Sequence, residues 1–251
     1  MTGADIRDRG AGVHSTPEDT VSQERTERAG ADAGTRAAGD DRPRDVHGAL
    51  HGSRFVTLPH VVPQVERCLA FIAGGAPVLV EVGFDHGRRL HSMARLNPGW
   101  RVLGLEVRKR RVAQARARAE RDGLTNVLPW RMDARTVFAG VLPPASVDVV
   151  DVLFPTPWWS AALRRERSLV DEAFMADVAR VLRPGGHLHT ATDVGWIDEA
   201  LTTTLSSCPD LSPIAWEDAR TRRPACGQRS RREWTCDEGG VPWTRQVWCR
   251  A

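Results

Sequence analysis

The sequence lacks several things, and each absence narrows what it can be. No apolar run approaches the roughly 20 residues needed to cross a bilayer. The amino terminus has no basic segment followed by an apolar one, so neither a membrane span nor a secretory signal is expected. The five cysteines, Cys68, Cys208, Cys226, Cys236 and Cys249, include no Cys-x-x-Cys pair to grip zinc. They read as free thiols in a reducing, cytoplasmic compartment, and no metal is expected. The dinucleotide fingerprint Gly-x-Gly-x-x-Gly is missing, which argues against a nicotinamide or flavin enzyme. Lysine occurs once, at Lys109, so nearly all of the 35 basic residues are arginine.

What is present divides unevenly. Residues 1–50 hold seven arginines against ten acids and almost no large apolar side chains. Such a segment cannot bury enough surface to offset its ordering entropy, so a disordered tail is expected there. Residues 51–251 carry a net +6 and form the expected folded domain, mildly basic and compatible with a polyanionic partner. Nothing in the sequence sets an oligomeric state.

From residue 76 onward, short apolar runs alternate with helical spacing. VLVEVG (78–83) suits a buried parallel strand. RRLHSMARL follows with helical periodicity and closes on Asn97-Pro98-Gly99. WRVLGLE (100–106) is a second strand, and residues 107–124 a helix with a thin apolar stripe of Val107, Val112, Ala115 and Ala119. NVLPW and SVDVVDVLF read as third and fourth strands. A helix near 169–182, a turn RPGG (183–186), a strand HLHTAT (187–192) and a helix near 196–206 follow. This rhythm predicts a doubly wound, Rossmann-like α/β domain with a mostly parallel sheet, whose ligands bind at the carboxyl ends of the strands.

Acids stand at those ends. Glu81 and the glycines Gly83 and Gly87 close the first strand, in a turn that a ligand can approach closely. Glu106 closes the second strand, where a carboxylate accepts hydrogen bonds from ribose hydroxyls. Asp133 follows the third, in reach of an adenine amine. Together they describe an adenosine pocket without a pyrophosphate clamp, which points to S-adenosylmethionine.

The order EVGFDHG, GLE, NVLPWRMDA, FPTPW, LRPGGHLHTATD and TCDE resembles the bacterial tRNA (guanine-N7) methyltransferases over roughly residues 54–249. The resemblance implies the seven-stranded methyltransferase fold, with Glu81, Gly83, Gly87, Glu106 and Asp133 holding S-adenosylmethionine. It also implies that Asp193 contacts guanine while Thr235 and Glu238 close over the substrate. Three departures fall in this site. Asp85 replaces the middle glycine of the family's turn. Thr156 replaces the family's aspartate between the prolines. Ser160-Ala161-Ala162-Leu163 replaces a cationic cluster, with arginines returning at Arg164, Arg165 and Arg167. Ser160 is then the one polar side chain left there to meet a substrate.

Guanine N7 carries no proton, so its methylation needs positioning rather than a base. For a nitrogen that does carry one, Asp193, Glu238, His189 and Asp151 are the candidates, whereas His187 and His189 also read as structural histidines. Trp158 reads as packing beneath the loop, and Trp159 as a stacking surface. Six arginines between residues 219 and 234 form either a solvated loop or an RNA-facing patch. Methyl transfer to a ring nitrogen of guanine in tRNA is the expected activity. The alternatives are N-methylation of a small guanine-like heterocycle, suggested by the missing cationic cluster, and a non-catalytic RNA-binding module, suggested by Asp85 and Thr156.

Overall fold

The computed structural model describes residues 58–162 and 168–251. The expected tail and the arginines Arg164, Arg165 and Arg167 lie outside these residues. In chain order the elements are α1 (Leu58–Ile72), β1 (Val78–Val82), α2 (Arg88–Leu96), β2 (Arg101–Leu105), α3 (Lys109–Arg121), β3 (Val127–Trp130), α4 (Ala134–Gly140) and β4 (Val147–Leu153). Then follow α5 (Glu172–Val181), β5 (Leu182–Thr192), α6 (Gly195–Ser206), β6 (Leu211–Pro213), α7 (Trp216–Arg220), α8 (Arg231–Gly239) and β7 (Thr244–Arg250).

The strands form one seven-stranded sheet in the order β3-β2-β1-β4-β5-β7-β6. β1 to β5 pair in parallel, while β7 runs antiparallel to both β5 and β6. The five residues of β1 are all buried, as a central parallel strand covered on both faces requires. One core layer gathers Val80, Leu103, Trp130, Phe138, Val150 and Phe174, and the other gathers Leu79, Leu90, Met93, Val102 and Val149. Chain order reverses between β1 and β4, so the crevice of this fold opens at the carboxyl ends of those two strands.

Two expectations change in detail. The RPGG turn lies inside β5, where pairing jumps from Val147 with Leu182 to Val149 with His187; Arg183 to Gly186 bulge out between the two. Val107 does not join the stripe of α3. It precedes the helix and is 42% exposed, leaving Val112, Ala115 and Ala119 as the buried face.

Candidate functional site

The turn after β1 is built on positive backbone angles. Gly83 has φ 73° with open space in front of its α-carbon, Asp85 φ 48°, and Gly87 φ 65°. A side chain at Gly87 would meet the Ala115 Cβ at 2.9 Å, so that glycine serves packing against α3, whereas Gly83 keeps a face open to a ligand. Asp85 tolerates this conformation better than most residues. Its charge is also compensated: Arg111 Nε lies 3.3 Å and Arg108 Nη1 3.8 Å from its carboxylate.

Glu106, at the end of β2, is buried. Its Oε2 accepts from the Asp85 amide at 3.2 Å and its Oε1 from the Arg108 amide at 3.0 Å. Arg108 Nε also donates to Oε1, at 3.3 Å, so Oε2 is the oxygen that keeps a further lone pair for a hydroxyl. Asp133 caps α4 by accepting from the Arg135 amide at 2.8 Å, and lies half-buried beyond β3.

Glu81 belongs to a buried charge cluster that the sequence does not reveal. Arg89 Nη1 donates to Glu81 Oε1 at 3.0 Å while its Nη2 donates to Asp151 Oδ2 at 2.6 Å. From the far side Arg223 Nη2 donates to both Asp151 oxygens, at 2.9 and 2.8 Å, and its Nη1 lies 2.8 Å from His189 Nδ1. Burial alone would raise the Asp151 carboxyl, but Arg223 and Arg89 hold it well below the usual range. Burial raises the Glu81 carboxyl, partly against Arg89. It pushes His187 and His189 down to about 4, with Arg223 adding to the fall and Asp151 opposing it. Both histidines are therefore neutral at pH 7. Of the four candidate bases, Asp151 and His189 are locked in this cluster and Glu238 is exposed. Asp193 is held by Arg232.

The second oxygen of Glu81 is buried without a hydrogen-bond partner. An orphaned acceptor of that kind calls for a donor. Together with the open face of Gly83 and the fixed carboxylate of Glu106, it fits the amine and ribose of an adenosyl cofactor.

The opposite wall comes from β4, β5 and α8. Phe154 leaves β4 in a left-handed conformation, φ 50°, with its amide donating to Ala191 O at 2.6 Å. A bulky residue held so at a strand end is strained, and such strain concentrates at functional sites. Thr156 and Ser160 beyond it are exposed. Trp158 is half-buried; Trp159 is 69% exposed and meets Trp196 edge to face, 6.1 Å between ring centres.

Asp193, just past β5, accepts from Arg232 Nε at 2.9 Å and from Arg232 Nη2. That pair ties α8 to the end of β5, and across the crevice Arg231 reaches His86 of the β1 turn at 3.1 Å. α8 starts with a Ser230–Glu233 capping box and ends on Gly240 at φ 61°. Thr235 and Glu238, one turn apart on it, are exposed, and Thr235 Oγ1 bonds back to Arg231 O at 2.9 Å. Four of the six large apolar side chains exposed among the described residues, Val107, Trp159, Trp234 and Val241, follow the carboxyl ends of β2 and β4 or sit on and just after α8.

Four of the six arginines of 219–234 meet other side chains, while Arg220 and Arg222 are exposed. Arg223 is buried on Asp151, Arg229 pairs with Asp237, Arg232 with Asp193, and Arg231 faces His86. No helix among the described residues is long and apolar enough to cross a membrane, and none of their side-chain groups forms a metal-binding cluster.

Residues 75–241 match a family model described as "Putative methyltransferase". A tRNA (guanine-N(7)-)-methyltransferase of Mycobacterium avium is 31% identical over 181 residues, 72% of this chain and 69% of that one. The one of Burkholderia vietnamiensis is 34% identical over 164 residues, 65% of this chain and 63% of that one. The chain thus spans between three fifths and seven tenths of the length of these relatives. Among solved structures, TrmN from Thermus thermophilus is similar at 18% identity with a TM-score of 0.49, covering 83% of this chain and 53% of that one. The matched span runs from the residues before β1 to the end of α8, enclosing the glycine turn, the FPTPW loop, Asp193 and the helix that latches onto it, and the chain belongs to the tRNA (guanine-N7) methyltransferase family.

Proposed function

We propose that the protein methylates N7 of a guanine in tRNA, using S-adenosylmethionine. The observation that carries this reading is the meeting of two walls in one crevice. Glu81, Gly83 and Glu106 line the carboxyl ends of β1 and β2, and Asp193 with Thr235 and Glu238 faces them from β5 and α8. The relatives above bear the name of this activity.

In this reading Glu81 Oε2 receives the cofactor's amine, Glu106 the ribose hydroxyls and Asp133 the adenine amine. S-adenosylmethionine supplies an electrophilic methyl group on a sulfonium. Asp193 accepts from the N1–H and N2–H edge of guanine, the same kind of planar donor pair that Arg232 offers it here, so guanine replaces a guanidinium and the carboxylate stays paired. N7 lies on the other edge of the base, aimed away from Asp193. It carries a lone pair and no proton, so the chain's task is alignment, and no general base is required. Methylated N7 leaves the imidazole ring positively charged, and the carboxylates of Asp193 and Glu238 favour that charge. Thr156 contributes a hydroxyl rather than a charge. The small-heterocycle alternative gains nothing from the named relatives, and the neutralisation of Asp85 by Arg111 weakens the case for a module that cannot hold its cofactor.

The test is incubation with methyl-labelled S-adenosylmethionine and unmodified tRNA at low salt. Label should enter RNA at a guanine whose backbone becomes cleavable after reduction and amine treatment, the signature of N7 methylation. Cofactor binding without label in RNA would sink the reading.

A further inference from the structure

A small cleft lies at the β3 edge of the sheet. It has a volume of about 140 Å³ and is lined by Gln64, Arg67, Arg116, Leu128 and Trp130. By the roughly 30 Å³ that a water occupies in the liquid, that is room for about four waters. The floor is apolar, made by the same-face pair Leu128 and Trp130 of β3. The Trp130 indole is fixed by its N–H donating to Gln64 Oε1 at 3.0 Å.

Two guanidinium groups form the rim, Arg67 from α1 and Arg116 from α3. Arg116 Nε donates to Pro129 O at 2.9 Å, which covers the exposed edge of β3 and leaves its two terminal nitrogens to the cleft. No carboxylate among the described residues forms an ion pair with either arginine; Glu120, one helical turn past Arg116, offsets part of its charge from a distance. Burial and the Arg67 charge together lower the pKa of Arg116. Two cations beside each other over an apolar floor are a cost that an anion would remove.

The rest of the molecule makes this pair conspicuous. The cationic cluster expected after Trp159 is replaced by Ser160, Ala161 and Ala162. In the C-terminal segment Arg223, Arg232 and Arg229 are paired with Asp151, Asp193 and Asp237. Arg67 and Arg116 converge on a cavity with no internal acid between them.

We infer that this cleft binds a phosphate-class oxyanion, clamped between the Arg67 and Arg116 guanidinium groups, and that its source is a backbone phosphate of bound RNA. The inference leans on the proposed RNA substrate for that source, but the site itself does not depend on methyl transfer. Free inorganic phosphate has the same chemistry, so two measurements on the full chain distinguish the sources. In the first, thermal unfolding is followed with inorganic phosphate against chloride at matched ionic strength. Phosphate should raise the midpoint of the wild type, and not that of Arg67→Gln, an exposed position whose change leaves the core intact. In the second, the affinity for unmodified tRNA is measured against salt. Loss of one phosphate contact should flatten the slope of log K against log salt by roughly 0.7–0.9 in Arg67→Gln, with Arg116→Lys intermediate.

A flattened slope supports the site with an RNA phosphate in it. Protection by phosphate with an unchanged slope supports the site and assigns it to a free anion. No protection together with an unchanged slope overturns it. Because neither readout involves methylation, failure here and failure of the tRNA reading remain distinguishable.

Discussion

Acidification from pH 7 to pH 5 should destabilise this fold well before its carboxylates protonate, because of two buried histidines. His187 and His189 are 1% and 4% exposed and are pushed down from 6.5 to about 4. A group whose folded pKa is depressed binds fewer protons folded than unfolded, so stability falls as pH drops through the window between the two values. Here that window is about 4 to 6.5. At pH 5 the linkage relation gives a loss of about 2 kcal/mol per histidine relative to pH 7, about 4 kcal/mol for the pair, against a total domain stability of about 5–15 kcal/mol. Asp151 does not contribute in this range. Its carboxyl is held below the ordinary value, so its stabilisation is present above about 4 and is lost only at lower pH. Glu81 acts in the opposite sense, since its raised pKa favours the folded state at low pH, and a variant is needed to isolate the histidines.

The assay is urea unfolding at pH 7, 6 and 5 on the wild type and on His187→Gln. With a denaturant slope of about 2.5 kcal/mol per molar, the wild-type midpoint should fall by about 1.5 M, and by about half as much in the variant. The absolute stability of the variant at pH 7 does not matter, because the readout is the change with pH. Because Glu81 opposes the histidines, the deciding comparison is between the two proteins: a variant with the same pH dependence as the wild type would refute the assignment of these histidines as buried and neutral.

The two glycines of the β1 turn should separate folding from cofactor binding. Gly83→Ala strains a φ of 73° at a cost of about 1–2 kcal/mol but meets no atom, so the protein should fold and lose affinity for S-adenosylmethionine by calorimetry. Gly87→Ala adds a 2.9 Å collision with Ala115 and should cost clearly more in thermal midpoint. Asp193→Asn removes the charge that Arg232 holds and that the proposed reading offers to guanine. It should lower methyl transfer to tRNA by about 10- to 100-fold while cofactor affinity stays within about twofold, with both measured on the same preparation.

The parallel half of the fold is legible because its code is local. Buried strands, four to seven residues long from β1 to β4, glycines where the backbone turns left-handed, and acids at strand ends all lie within a few residues of one another. The C-terminal half is less so. α8 carries a start signal, Ser230 three residues before Glu233, and a stop signal, Gly240, yet its apolar face is the single buried residue Cys236, too little to declare a helix by periodicity. α4 is seven residues long, below the length at which a 3.6-residue period can be read. The charge cluster is illegible for a different reason. Arg89 and Arg223 meet Asp151 across 62 and 72 residues of chain, and nothing in the text around any of the three marks it as a partner of the others. Arg223 in particular sits in an arginine-rich run that reads as surface, and only the fold shows that one member of that run is buried.

The departures from the family pattern also sort themselves by what surrounds them. Asp85 adds a carboxylate to a turn that normally has none, and α3 and the residue before it answer with Arg111 and Arg108, so the turn keeps its shape and gains no net field. Thr156 removes a carboxylate from a loop whose backbone is already fixed by the Phe154 amide and the strand beside it, so the loop keeps its path without that charge. The fold has absorbed both changes. What neither change touches is Asp193, the strand-end acid that α8 closes on and that the proposed reading assigns to the guanine. In the proposed reaction, where a nucleophile with a free lone pair depends on alignment, an unaltered Asp193 outweighs the altered residue between the prolines.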